Sequence, residues 1–346
     1  MNRILLVVLS FAILSGTVAQ AQVTVAESSD YTRTSTYADV VSFLAALDGA
    51  RVTHHTLGTS VEGREIPLVI IADPPVHEPS DLDGRVLVLA FGNIHAGEVC
   101  GKEALCMLAR DLAGGDPILE HVAVAIVPIY NTDGNERFDE GNRPGQNGPQ
   151  EMGIRHNAQD LDLNRDWMKA DAPETRAMLR FYRTWDPHLV IDTHTTNGSK
   201  HRYTLTYQGP KHPSGDPELL TFVRDEMLPA ITEDVRAKSG YETFFYGNFA
   251  RDHTQWTTYP ASPRYGTPYR GLRHRVAILS EAYSYATFRD RVLSTRAFCR
   301  SILDYAATNH ERITKMCADA SKDRPETIAI RTEAKAFEQK VTVFGY

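Results

Sequence analysis

Cysteine and long apolar runs are the two things this chain is short of. Only 4 cysteines occur in 346 residues, too few for a small scaffold held together by cross-links rather than by a core. Cys100 and Cys106 fall six apart in a helical pattern, a rise of about 9 Å that exceeds the ordinary reach of a disulfide. If a bridge forms, Cys299 with Cys317 is the better pair, and four buried thiols are the equal alternative. Basic residues are in the minority, 37 against 44 acidic, which argues against a nucleic-acid partner. No internal repeat is visible. Past residue 21 no stretch is long and apolar enough to cross a bilayer.

The one sustained apolar run stands at the start. Asn2-Arg3 is a short basic opening, residues 4–14 are apolar but too few to span a membrane, and Ala19-Gln20-Ala21 offers small residues for cleavage. That three-part pattern reads as a secretory signal peptide over residues 1–21; an uncleaved anchor or a merely apolar start is the alternative. No cysteine borders the cleavage point, so lipid attachment there is not expected. An exported protein follows, periplasmic or secreted, with no membrane association after cleavage. Removing the leader takes away Arg3 and no acidic residue, which leaves 36 basic residues against 44 acidic ones.

Hydrophobic residues make up 42% of the chain, enough for one large core. Helical apolar spacing covers residues 98–112, 173–185, 217–235 and 288–306, while 86–91, 122–130, 188–194, 203–207 and 275–281 read as strands. The alternation predicts a mixed α/β domain over 22–320. Residues 141–153 are rich in Gly, Pro and Asn and read as a long surface loop bordering a functional cleft. From about residue 321 the pattern dissolves into charge, and the closing Val341-Thr-Val-Phe-Gly-Tyr346 looks like a strand without a partner, as at the start of a further domain.

The most informative stretch is Phe91-Gly-Asn-Ile-His95-Ala-Gly-Glu98, where an apolar strand ends and a His and a Glu follow three positions apart. In a tight turn or a first helical turn that spacing lets both side chains converge on one ion, although it also arises on solvated helix faces. Two further strands end alike: His188-Leu-Val-Ile-Asp-Thr-His194 closes on a second His, and Arg275-Val-Ala-Ile-Leu-Ser-Glu281 on a carboxylate. Each of these alone also reads as a strand cap or a solvated strand end. In open α/β sheets ligands bind outside the carboxyl ends of the strands, so the three placements together predict a site. Two His and one Glu form an open catalytic set for zinc.

At these residues the chain resembles the zinc carboxypeptidases of the metallocarboxypeptidase (M14) family, most closely their bacterial secreted members. The family's pattern is a His-x-x-Glu pair, an Asn-Arg pair on a loop, a third ligand His at a strand end, and a catalytic Glu late in the domain. Here these are His95 with Glu98, Asn164-Arg165 within Asp160-Leu-Asp-Leu-Asn-Arg-Asp-Trp167, His194 and Glu281. The segment Leu57-Gly-Thr-Ser-Val-Glu-Gly-Arg-Glu-Ile66 and the run Asn131-Thr-Asp-Gly134 resemble two further family signatures, and the likeness extends over roughly residues 30–310. It implies a mostly parallel twisted sheet flanked by helices on both faces, and one Zn2+ per chain held by His95, Glu98 and His194. It further implies Glu281 as general base, and Asn164 and Arg165 as the clamp for a substrate's terminal carboxylate. A family Arg that stabilises the developing oxyanion matches Arg155 best, with Arg143 as the other candidate.

Other assignments stay open in the sequence. Asp162 and Asp166 read either as partners of Arg165 or, for Asp162, as the group that orients a metal-bound imidazole. A Tyr closing over substrate has three candidates, Tyr246, Tyr259 and Tyr265. Arg264, Arg270, Arg273 and Arg275 form a basic cluster that reads as a preference for acidic substrates or, more commonly, as a solvated face. His54, His55 and His77 fall outside the motifs. The partner implied is a peptide or acyl-amino-acid substrate with a free carboxylate. Competing functions are a zinc amidohydrolase of the aspartoacylase or succinylglutamate desuccinylase type, trimming of cell-wall peptides, and a non-catalytic peptide-binding relative. The export signal argues against the first, and retention of both His, Glu98 and Glu281 against the last.

Overall fold

The computed structural model describes residues 22–345 apart from 197, 323–325, 334 and 339. The expected leader, residues 1–21, lies outside the described residues. Eight strands form one sheet: β1 (Val52–Thr59), β2 (Glu65–Ile71), β3 (Val86–Gly92), β4 (Val122–Val127), β5 (Leu189–Thr195), β6 (Leu205–Gln208), β7 (Thr243–Phe245) and β8 (Val276–Ala282). Their spatial order is β1-β2-β4-β3-β5-β8-β6-β7. The centre, β4 through β3 and β5 to β8, is parallel. β2 on β4 and β6 on β8 run antiparallel.

Alternation along the central strands sends side chains to two cores. Val86, Val88 and Ala90 of β3 join a cluster with α1 (Tyr37–Ala45), α2 (Cys100–Ala113), α4 (Leu228–Ser239), α6 (Phe288–Thr308) and α7 (His310–Ala320). Leu87, Leu89 and Phe91 face the other side, where α3 (Pro173–Trp185) and Trp167 cover them. The short helix α5 (Gly266–Leu272) leads into β8. With both faces covered, the central strands are almost wholly apolar, and polar residues gather only at their ends.

Several sequence expectations shift in detail. The helix begins at Cys100, so Glu98 sits in the preceding turn. The 217–235 pattern extends to Ser239 but widens to a π turn over Phe222–Met227. The strand expected over 122–130 stops at Val127. All four cysteines are free and buried, so the Cys299–Cys317 bridge is not formed; each serves as a small apolar side chain in a core, Cys317 facing the His188 carbonyl at 3.7 Å. Residues 341–345 pair with no strand. Instead Phe344 stacks on Tyr203 and its amide donates to the Tyr203 hydroxyl at 3.0 Å. Among the described residues no helix is long and apolar enough to cross a membrane.

The start of α2 packs against β5 at van der Waals limits. A Cβ on Gly101 would stand 2.0 Å from Thr193 Oγ1, one residue before His194. Gly240, which ends α4 at a φ of +75°, has open space around it. Gly101→Ala should therefore cost at least about 2 kcal/mol by overpacking, against about 1 kcal/mol for the left-handed strain of Gly240→Ala. Urea unfolding of both variants tests this, and equal losses would refute the close approach.

Candidate metal centre and its cleft

The site is assembled where the parallel strands end. After β3 the chain turns at Asn93, whose φ is +64°, an Asn-tolerated left-handed conformation. The Glu98 amide donates to the His95 carbonyl at 2.8 Å, and this tight turn sets both side chains on one side. His194 ends β5, and Glu281 is its register partner on β8.

His95, Glu98 and His194 are all buried and each offers a ligand atom within 4.8 Å of the others. His95 Nδ1 lies 3.1 Å from Glu98 Oε1, and His194 Nδ1 lies 3.0 Å from Glu98 Oε2. The opposite nitrogens each meet a carboxylate: His95 Nε2 reaches Asp162 Oδ1 at 3.1 Å, and His194 Nε2 reaches Asp192 Oδ1 at 2.9 Å. The acid hydrogen-bonded to His95 fixes that ring and raises its basicity as a ligand; His194 Nε2 also has Asn164 Nδ2 at 3.4 Å. Two inward Nδ1 atoms and one carboxylate are the donor set of an open zinc site, so the residues fit the ion the sequence implies. Asp192 was missed in the sequence, although its place two residues before His194 puts it on the same face of the strand.

The electrostatics follow from packing buried charges together. Burial works against the charged form of Glu98, but His95, Arg143 and His194 override it and hold the carboxyl well below its usual range. For His194 burial likewise opposes charge, and Asp192 and Glu98 hold it well above the ordinary imidazole value. Asp162 is held low against burial by His95 and Arg155. Glu281 goes the other way: burial pushes its carboxyl up to about 8, with His194 opposing and Glu98 and Asp192 adding to the rise.

A cleft opens in front of these groups, and Arg155, Asn164, Arg165 and Glu281 all line it. Arg155 is held to Asp162 by Nε at 2.9 Å, with Nη1 at 3.3 Å from His95 Nδ1. Arg143 does not line the cleft. Its Nη2 donates to Glu98 Oε1 at 2.6 Å from the long 141–153 loop, which therefore borders the site by bracing a ligand. Asn164 and Arg165 sit on a 3-10 turn capped by Asp162. The Asn164 side-chain oxygen accepts from Gly266 N at 3.1 Å and Trp167 Nε1 at 3.3 Å, so half of that amide is spent on the scaffold. The Arg165 guanidinium stacks over the Tyr265 ring at 4.4 Å.

Tyr246, Tyr259 and Tyr265 all face the cleft, joined by Thr267 and Leu279, two positions that carried no signal in the sequence. Tyr259 is bonded through its hydroxyl to Thr267, and burial raises its phenol well above the usual value. The basic cluster divides. Arg275 pairs with Asp186, whereas Arg270 is only 1% exposed and so is not a solvated face. His54 and His55 bond to Leu47 O and Thr53 Oγ1, remote from the metal ligands in the fold.

The sequence profile of the zinc carboxypeptidase family matches residues 37–265. The chain belongs to this family. Relatives by sequence include carboxypeptidase D of Anas platyrhynchos, 31% identical over 155 residues that are 40% of this chain and 10% of that protein. Carboxypeptidase 2 of Trichophyton rubrum is 27% identical over 150 residues, 41% of this chain and 25% of that one. The chain thus spans between a tenth and a quarter of the length of these relatives. Among solved structures, a metallo-carboxypeptidase from Burkholderia cenocepacia superposes with a TM-score of 0.59 at 19% identity, covering 79% of this chain and 70% of that one. A metallo-carboxypeptidase from Pseudomonas aeruginosa in complex with (2-guanidinoethylmercapto)succinic acid gives 0.56 at 19%, covering 80% and 68%. These likenesses show the fold, a mixed, mostly parallel sheet between helices. The profile match stops before Glu281, whose place rests on its register with His194.

If Asp162 orients His95, Asp162→Asn should weaken zinc binding by about 10–100-fold. Competition with a chromogenic chelator measures this, and unchanged affinity would reduce the contact to a bystander.

Proposed function

We propose that this protein is an exported zinc metallocarboxypeptidase that hydrolyses the C-terminal peptide bond of its substrate, with residues 22–320 as the catalytic domain. One observation carries the reading: a His-Glu-His cluster, Glu281 and Arg165 line a single cleft. A substrate's terminal carboxylate and last peptide bond can therefore be recognised together.

A zinc ion bound by His95, Glu98 and His194 supplies Lewis acidity that lets water act as a nucleophile near neutral pH. Glu281 accepts the proton of the attacking water and later delivers it to the leaving amine nitrogen, serving both halves of hydrolysis. Its place in the cleft beside the three ligands puts the carboxylate where it can take that proton and keep it for the second transfer. Arg155 donates to the former carbonyl oxygen as negative charge builds there, and Asp162 keeps its guanidinium aimed. Arg165 forks the terminal carboxylate through two parallel bonds, its plane set by the Tyr265 ring; Asn164 adds the amide hydrogen not directed at His194 Nε2. Recognition of the chain end by Arg165 distinguishes this reading from an endopeptidase. Trimming of cell-wall peptides and hydrolysis of small acyl amino acids use the same groups and differ only in what precedes the scissile bond.

Incubation with a mixed peptide library and mass spectrometry of the products tests the reading directly: loss of one residue from the C-terminus is expected, and internal cleavage or no cleavage refutes it. Glu281→Gln should retain zinc and lose about 10²–10⁴-fold in turnover; retained turnover would move the base elsewhere. Arg165→Ala should lower kcat/KM on free-acid peptides by about tenfold or more, and much less on amidated ones. Equal loss on both would mean that Arg165 does not read the terminus.

A further inference from the structure

With the terminal carboxylate at Arg165, the part of the cleft bounded by Tyr246, Tyr259, Thr267 and Leu279 is left for the side chain of the terminal residue. Two cations stand directly behind that wall. Lys211 holds its ammonium 3.4 Å from the centre of the Tyr259 ring, and its hydrogen bonds go to Thr258 Oγ1 at 3.0 Å and to the Tyr259 carbonyl. All of these partners are neutral. Arg270 lies one helical turn after Thr267 on the same face of α5. Its Nη2 donates to the Pro187 carbonyl at 2.7 Å while Nε and Nη1 have no hydrogen-bond partner. Neither side chain forms an ion pair with a described carboxylate. Asp192 lines the same small cavity as Arg270 and Thr267, and its two oxygens also lack a hydrogen-bond partner, so a carboxylate already stands near Arg270 while no described one stands near Lys211.

We propose, resting on the carboxypeptidase reading, that the terminal-residue pocket selects an acidic side chain, aspartate or glutamate, with Lys211 as the discriminating charge. The physical reason is the cost of a partly buried cation without a counter-ion. Such a group is strained toward neutrality, and burial brings the Lys211 ammonium down to about 7. A carboxylate entering the pocket supplies the missing partner and relieves that cost. A lysine or arginine side chain would instead bring a second cation up to the Tyr259 ring from the cleft side, opposite Lys211. The Tyr259 ring, held between Lys211 and Tyr265, is the element that must yield for the contact to form.

The test uses the zinc-loaded full chain and N-blocked peptides identical except for a terminal glutamate, leucine or lysine. Glutamate should exceed lysine in kcat/KM by at least about tenfold. Lys211→Met should lower the glutamate-to-leucine ratio by about tenfold, and Lys211→Arg should restore it, which a purely structural defect would not permit. Release of lysine or leucine in preference to glutamate, or a ratio unmoved by Lys211→Met, overturns the proposal while leaving the carboxypeptidase reading intact. If no peptide loses a single terminal residue, that reading fails and the acidic preference falls with it.

Discussion

One buried carboxylate organises the centre of this molecule. Glu98 divides its two oxygens between His95 and His194, and it also accepts from Arg143 and from the Thr195 amide at 3.1 Å. A charge placed that deep is costly unless it is paired and fully hydrogen-bonded, and the surroundings are arranged to meet that condition. Asp162 and Asp192 then stand behind the imidazoles that face Glu98. What results is an alternating array of acid and base in which each member's position depends on the next.

The sheet makes the array possible. β3, β5 and β8 are neighbours and parallel, so their carboxyl ends share one edge, and three segments widely separated along the chain meet there. A second layer of support comes from α6. Arg291, wholly buried in that helix, donates to Gln146 Oε1 at 2.8 Å and to the Asn147 carbonyl at 2.9 Å. Gln146 in turn reaches the Gly97 carbonyl at 3.2 Å. The 141–153 loop is therefore strapped to the back of the domain, and through it Arg143 is delivered to Glu98. Loops held this way keep a site's geometry while remaining outside regular structure.

Across the cleft the organising force changes from ion pairing to aromatic contact. Arg165 lies on Tyr265, Tyr265 packs against Tyr259 at 5.2 Å, and Lys211 lies on the far side of Tyr259. Cations over ring faces are stabilised by the ring quadrupole without surrendering their charge, so the guanidinium stays available to a carboxylate. The ligand side is a set of paired charges, whereas on the aromatic side Lys211 has no carboxylate partner among the described residues.

How much of this was legible in the sequence divides along a physical line. The apolar runs ending at His95, His194 and Glu281, and the tight spacing of His95 to Glu98, are local patterns, and with the family resemblance they carry they pointed to the candidate ligand set and the fold class. Sheet order and register were not local. With the helices and loops packed around the sheet, they decided that Arg155 rather than Arg143 enters the cleft, that Cys299 and Cys317 remain thiols, and that Arg270 is buried rather than solvated. Each of those outcomes depends on distances between segments tens to hundreds of residues apart, set by packing of the two cores against the strands. Side-chain periodicity determined which residues point toward a site; only the tertiary structure decided which of them meet, because meeting is a property of neighbouring strands and not of neighbouring residues.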